Sequence, residues 1–432
     1  MLRIPGRRRL ALTAPLIVAL VVPACTSPAP AQHVSVTASP GNSSGDQAVH
    51  IEVTGLRAGQ QATVQVTSTD SLGVAWVSSQ TYRADAGGHV TPDRDAPVSG
   101  GYQGISGMGP VWSMHVSDPG AVKAENDGEF YWSRDRSFTF TVTVRVSGAT
   151  VARTSFQRRL AAVPRSIRDE TLATDGFTGY YEQPATGPRR RAAVLLLGGS
   201  EGGLPGPLTA GMLAGQGYAV LGVAYFGLPG LPSTLSDIPL EYFARALRWL
   251  AHQPGVDPAK IAVLGVSRGS EAAQLLGVHY PNLVHAVIAS VPSDASICSY
   301  PGCRTAAWTL GGKPLPYTAE IGNPAPDDVP AAVIPDQRID GPVFLDCGEA
   351  DRTWTSCPYA RAILSRLDRY HDRWTHVLYA YPGAGHLVGS FTPYEPLGPV
   401  GLGAAVPSMT AFQEAEPALY QHLLGFLAAF AG

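Results

Sequence analysis

The rhythm of apolar and polar positions changes once along this chain. Between Gln47 and Arg168 the two kinds of residue alternate in short runs. Examples are Ala48-Val49-His50-Ile51-Glu52-Val53, Ala62-Thr63-Val64-Gln65-Val66-Thr67 and Phe138-Thr139-Phe140-Thr141-Val142-Thr143-Val144. A period of two sends successive side chains to opposite faces of a strand. Turn clusters such as Ala86-Gly87-Gly88 and Ser99-Gly100-Gly101 lie between the β-rich stretches. The pattern predicts about seven short strands in an all-β, immunoglobulin-like sandwich. From about Arg191 the alternation gives way to continuous apolar runs: Ala192–Leu197, Tyr218–Val223, Ile261–Leu264, Ala286–Ala289, Val343–Leu345 and His376–Ala380. Strands apolar at every position need cover on both faces. Interleaved with helical stretches such as Leu240 to His252, they predict an α/β domain with a mostly parallel sheet. No internal repeat is visible.

The first residues follow a different rule. Met1 to Arg9 carries four arginines, Leu10 to Val22 is uncharged and mostly apolar, and Val22-Pro23-Ala24-Cys25 follows. That order is the one of a secretory signal, and the run is shorter than the roughly 20 residues that span a bilayer. A cysteine directly after the cleavage point resembles a bacterial lipobox, in which Cys25 is lipidated and becomes the mature N-terminus. The alternative is a cysteine that merely lies near a cleavage site. The expected organisation is a signal peptide over 1–24, a lipidated tether over 25–40, a β-sandwich over 41–168 and an α/β domain over 169–432. The expected location is the extracellular face of the cell membrane, which the chain meets only through its lipid anchor.

Composition adds exclusions. With 15% charged residues and a net charge of -3, the chain has no bulk electrostatic case for nucleic acid. Of five cysteines, Cys298, Cys303, Cys347 and Cys357 remain beyond Cys25. An even number in an exported protein implies disulfides. Of the three connectivities, Cys298–Cys303 and Cys347–Cys357 are favoured because each pair is close in sequence. The histidines are scattered and no spacing suits a metal site, so no metal or cofactor is expected.

Chemistry concentrates at Gly265-Val266-Ser267-Arg268-Gly269. It matches G-x-S-x-G, follows the apolar run Ile261–Leu264 and precedes a helical stretch from Glu271. That is the strand–turn–helix context in which such a serine stands above a sheet. A serine needs a base to take its proton and a carboxylate to orient the base. In this fold the chain order is serine, acid, histidine. His386, in the small-residue loop Tyr381-Pro382-Gly383-Ala384-Gly385-His386, is the candidate base; His371, His376 and His422 read as surface, strand or helix residues. The acid belongs in the loop after Val343-Phe344-Leu345, which offers Asp346, Glu349 and Asp351; position favours Asp351 without excluding the others. Backbone N–H groups of Gly199 or Ser200, in Gly198-Gly199-Ser200-Glu201-Gly202-Gly203, and of Arg268 would receive an oxyanion. The same glycine loop lacks the Gly-Lys-Ser/Thr of a phosphate-binding loop.

Taken in order, these segments resemble the acyl-CoA thioesterases related to bile acid-CoA:amino acid N-acyltransferase. The resemblance runs from roughly Pro40 to Ala431. It includes Ser99–Gly104 with Met108–Met114, Leu197–Gly203, Ala224-Tyr225-Phe226 with Leu231-Pro232, and Leu240–Phe243. Ser267 matches the family nucleophile and His386 its base. Asp351 matches the acid, because Gly348-Glu349-Ala350-Asp351-Arg352-Thr353-Trp354-Thr355-Ser356 is similar to a Gly-x-x-Asp-x-x-Trp-x-Ser run. The resemblance implies hydrolysis of acyl-CoA thioesters. Serine at 267, where the amino-acid-conjugating members resemble cysteine enzymes, favours water as the acceptor. An exported chain equally suits an extracellular esterase or lipase acting on oxygen esters, and a non-catalytic binding lipoprotein is the reading from another class. Ser293 to Asp340 is expected to form a functional loop or small cap. There Trp308, Leu310, Leu315 and Tyr317 either line an acyl pocket or only anchor the loop.

Overall fold

The computed structural model of the protein describes residues 1–2, 32–118, 120, 129–161, 163–187, 190–371, 373–397 and 406–432. The expected signal from residue 3 onward, Cys25 and the first part of the tether lie outside them. Among the described residues no helix is long and apolar enough to cross a membrane.

The alternating half of the chain forms strands β1 (Ser35–Ser39), β2 (Asn42–Ser44), β3 (His50–Thr54), β4 (Gln61–Thr69), β5 (Ala75–Arg83), β6 (Ser99–Gly100), the single-turn helix α1 (Gly109–Trp112), β7 (His115–Val116), β8 (Phe138–Val146) and β9 (Ala149–Arg159). Seven of these strands build one sheet in the order β2-β9-β8-β4-β5-β6, with β7 also on β5. β1 and β3 pair antiparallel as a second, two-stranded layer. In β4 and β5 every second side chain is buried, as a period of two requires. The buried faces meet around Trp76, Phe130, Trp132, Phe138, Phe140 and Phe156, with Val36, Ile51 and Val53 from the smaller layer. The sandwich is therefore lopsided, one broad sheet covered by a narrow ribbon.

The second half contributes β10 (Arg165–Glu170), the short α2 (Leu172–Asp175), β11 (Thr178–Pro184), β12 (Arg191–Leu197), α3 (Pro207–Gly215), β13 (Ala219–Ala224), β14 (Ile238–Pro239), α4 (Leu240–Ala251), β15 (Val256–Val266), α5 (Arg268–His279), β16 (Ala286–Ser290), β17 (Trp308–Leu310), β18 (Lys313–Pro314), β19 (Val343–Gly348), α6 (Ser356–Tyr370), β20 (Val377–Tyr381) and α7 (Met409–Ala431). Eight strands form one sheet, β10-β11-β13-β12-β15-β16-β19-β20. The first two pairings are antiparallel, and every pairing from β13 onward is parallel. β12, β13, β16 and β19 are buried along nearly their whole length, because helices cover both faces. The sheet begins at Arg165, so the boundary read at 168/169 falls inside a strand; β10 is polar and half-exposed and carries no apolar run to announce it. The chain order reverses at β12, flanked by β13 on one side and β15 on the other. Ligands of open α/β sheets gather outside the carboxyl ends of strands at such a point.

The two halves meet at the segment just after His386. Trp132 Nε1 donates to Glu395 Oε1 at 3.1 Å. Arg158, fully buried, donates to the carbonyls of Gly45 at 2.6 Å and Tyr394 at 3.2 Å. Burial pulls its guanidinium down to about 10, against the opposing pull of Tyr394, Asp46 and Glu395. Removing this cation leaves two buried carbonyls unpaired, so Arg158→Ala should cost about 3 kcal/mol. Urea unfolding that shows less than about 1 kcal/mol of loss would rule out this anchor.

Candidate active site

The serine at the end of β15 sits on strained backbone. Ser267 has φ 54° and ψ -119°, a conformation that costs of order 1–3 kcal/mol outside glycine. Both flanking glycines are required for it. A Cβ at Gly265 would collide with the carbonyl of Gly269, and one at Gly269 with the carbonyl of Gly198. The turn is also tied sideways, the Ser267 N–H donating to Ser290 O at 3.0 Å.

Three loops at the carboxyl edge of the sheet bring the expected residues together. Ser267 Oγ lies 2.9 Å from His386 Nε2, and His386 Nδ1 lies 2.8 Å from Asp351 Oδ2. A carboxylate only accepts, so Nδ1 carries the proton and Nε2 faces the hydroxyl as a lone pair. Asp351 is held from three further directions. Its Oδ1 accepts from Thr353 N at 2.9 Å and Trp354 N at 3.3 Å, and its Oδ2 from Ser356 Oγ at 2.6 Å. The Trp354 ring stands edge-on to His386 with centroids 5.6 Å apart, and its indole donates to Val291 O at 2.9 Å. Of the rival carboxylates, Glu349 is paired with Arg361 at 2.7 Å on the surface. Asp346 is buried behind the sheet edge, accepting from Ser290 Oγ at 2.8 Å.

Both expected disulfides are present, Cys298–Cys303 and Cys347–Cys357. The second joins the end of β19 to the first turn of α6, so it closes the ten-residue stretch that carries Asp351. Mild reduction should therefore lower turnover several-fold while far-ultraviolet circular dichroism stays unchanged. Full activity after thiol titration confirms both cysteines are reduced would refute the clamp.

The oxyanion positions are more complicated than the glycines suggested. Arg268 is the first residue of α5, where a helical N–H has no partner in its own helix. Ser200 lies half-buried in the turn beyond Gly199. The Gly199 N–H, however, donates to Glu201 Oε1 at 2.7 Å. Tyr225 Oη donates to the carbonyls of Gly198 at 2.7 Å and Gly199 at 2.9 Å, which fixes the loop's orientation. Neither Glu201 nor Tyr225 was singled out from sequence for its chemistry. Both lay inside quoted segments, and a tyrosine directly after a parallel strand end was the available signal.

The Arg268 side chain turns away from the serine. It donates to the carbonyls of Ile297 at 2.8 Å and Cys298 at 2.9 Å and pairs with Glu271 at 2.9 Å. Glu271 in turn accepts from Trp308 Nε1 at 2.8 Å and Ile297 N at 3.2 Å; burial raises its carboxyl to about 7. Trp308 is fully buried, packed with Tyr225 and Phe243, and Leu310 and Leu315 lean on the same core. Trp308 anchors the 293–340 segment, its indole N–H finding its partner inside. Tyr317 packs against the small cluster of Ile297, Cys298 and Trp354.

The fold and this edge define an α/β-hydrolase. The region described as "Acyl-CoA thioester hydrolase/BAAT N-terminal region" matches residues 46–168. That described as "BAAT / Acyl-CoA thioester hydrolase C terminal" matches 238–301 and 315–412. Acyl-coenzyme A thioesterase 3 of Mus musculus is 28% identical over 420 residues, covering 88% of this chain and 92% of the mouse protein. Acyl-coenzyme A thioesterase 1 of Homo sapiens is 26% identical over 381 residues, covering 84% and 87%. Among solved structures, a hyperthermophilic esterase from Pyrobaculum calidifontis aligns with TM-score 0.41 and 19% identity over 63% of this chain and 89% of its own. The chain belongs to the acyl-CoA thioester hydrolase/BAAT family, and it is a thioester or carboxylic ester hydrolase.

Proposed function

We propose that the chain hydrolyses acyl-CoA thioesters by a serine mechanism through a covalent acyl-enzyme. The observation that carries this reading is the continuous relay from Ser267 Oγ to His386 Nε2 and from His386 Nδ1 to Asp351, at 2.9 and 2.8 Å. His386 takes the Ser267 proton as Oγ bonds to the carbonyl carbon, and Asp351 stabilises the imidazolium. The carbonyl oxygen becomes an oxyanion facing the N–H groups of Arg268 and the Gly199 loop. Collapse breaks the carbon–sulfur bond, and His386 returns its proton to the departing thiolate. Water then adds to the acyl-serine with His386 again as base, releasing the carboxylic acid and restoring Ser267.

A second reading keeps the mechanism and changes the leaving group to an alcohol. Two disulfides favour it, because such bonds persist in oxidising compartments, where CoA thioesters are scarce. The same disulfides support the exported location expected from the N-terminal pattern. Purified protein assayed on matched acyl-CoA thioesters and p-nitrophenyl esters separates the two. Faster thioester turnover is the expected result; turnover of oxygen esters alone would replace the first reading by the second.

A further inference from the structure

Glu201 stands where the reaction needs an empty place. Its Oε1 accepts from the Gly199 N–H at 2.7 Å. A Cβ built on Gly199 would meet Glu201 Oε2 at 2.9 Å and Ser267 Cβ at 3.0 Å, so the carboxylate and the nucleophile's side chain border the same small space. A Cβ on Gly198 would collide with Glu201 Oε1. Two adjacent glycines thus leave room for a carboxylate rather than for each other. Protein crowded around this carboxyl desolvates it and raises it above the usual range, while the N–H groups of Glu201 and Gly199 and then His386 pull the other way. Yet the residue as a whole is exposed to solvent. The two facts agree if backbone and stem face water while the carboxylate turns in to the Gly199 N–H.

We propose that Glu201 is a specificity-determining gate, whose carboxylate occupies the oxyanion position at Gly199 and yields only to a substrate whose acyl chain is bound elsewhere on the protein. The inference rests on Ser267 being the nucleophile. A carboxylate and a developing oxyanion repel each other and compete for one N–H, so the side chain must leave before Ser267 attacks. Its route is open, since Glu201 borders solvent, and the two residues that follow, Gly202 at φ 74° and Gly203 at φ 75°, lie on left-handed backbone that only glycine adopts freely. Displacement breaks the hydrogen bond from the Gly199 N–H. Binding energy from parts of the substrate remote from the carbonyl can drive such a step. A short acyl group supplies little of it, and a long one supplies more.

The test compares full-length wild type, Glu201→Gln and Glu201→Ala on p-nitrophenyl acetate and p-nitrophenyl decanoate, with Ser267→Ala as control. Glu201→Ala should raise kcat/KM for the acetate about tenfold, equivalent to 1.4 kcal/mol. The decanoate should gain less than about threefold, since its chain already drives displacement. Glu201→Gln, which keeps an uncharged acceptor for Gly199, should fall between. Inactivation by a p-nitrophenyl alkylphosphonate, with the adduct located by mass spectrometry, should also quicken in both variants. An adduct at Ser267 in wild type, with short-ester rates unchanged or lowered in both variants, would overturn the gate alone. No adduct at Ser267 in wild type would bring down the serine reading itself and the gate with it.

Discussion

Ser267→Ala is expected to lower kcat by about a million-fold, the scale on which a triad nucleophile acts. Alanine removes one oxygen and leaves the elbow intact, because the strained turn is held by Gly265, Gly269 and the Ser267 N–H, not by the hydroxyl. Stability should stay level or rise slightly. Both quantities are read from one preparation, steady-state turnover and the thermal midpoint. A folded variant that keeps more than about a hundredth of wild-type turnover would contradict the nucleophile.

The second large effect belongs to the acid. Asp351→Asn is expected to cost about 10⁴ in kcat, because an amide beside Nδ1 no longer holds the imidazole in the tautomer that accepts the serine proton. Asparagine also loses acceptor capacity toward Thr353, Trp354 and Ser356, which all donate to this one carboxylate. The informative partner is Asp346→Asn. Burial pushes that carboxyl up to about 8, against the hydrogen bonds of Ser290 and Val291. At pH 7 it is therefore mostly the neutral acid, for which asparagine is a close stand-in. Asp346→Asn should keep turnover within about threefold. If Asp346→Asn were the crippling variant and Asp351→Asn the mild one, the two roles would have to be exchanged.

These two residues show how far sequence reasoning reached. Position after a strand left Asp346, Glu349 and Asp351 in contention, and only the family resemblance separated them. The structure separates them by partners: a surface arginine for Glu349, a buried serine for Asp346, the histidine for Asp351. The cap was read in outline, with Trp308 left open between lining a pocket and anchoring the loop. Its burial depends on Glu271 and Phe243, 37 and 65 positions earlier, which no local pattern reports. Strand β10 was missed for the opposite reason: an edge strand with polar residues lacks the apolar run that marked its neighbours.

What the sequence by itself determined were the features written in local periodicity. Alternation gave one layer its buried face, continuous apolar runs made the other sheet need cover on both sides, and two glycines spaced around Ser267 allowed its turn. Serine, acid and histidine stood in the right order, and two pairs of cysteines lay close enough to join. Only the tertiary structure decided what the glycine loop does. Gly199 was marked as an oxyanion donor because glycine permits close approach, yet which group approaches it depends on how the Glu201 side chain turns back over the loop beside Ser267. Nor did any local pattern bring Trp132 and Arg158 against the segment after His386, for such contacts join positions more than 200 residues apart. Periodicity reports the faces an element must bury; it does not report which distant face buries them.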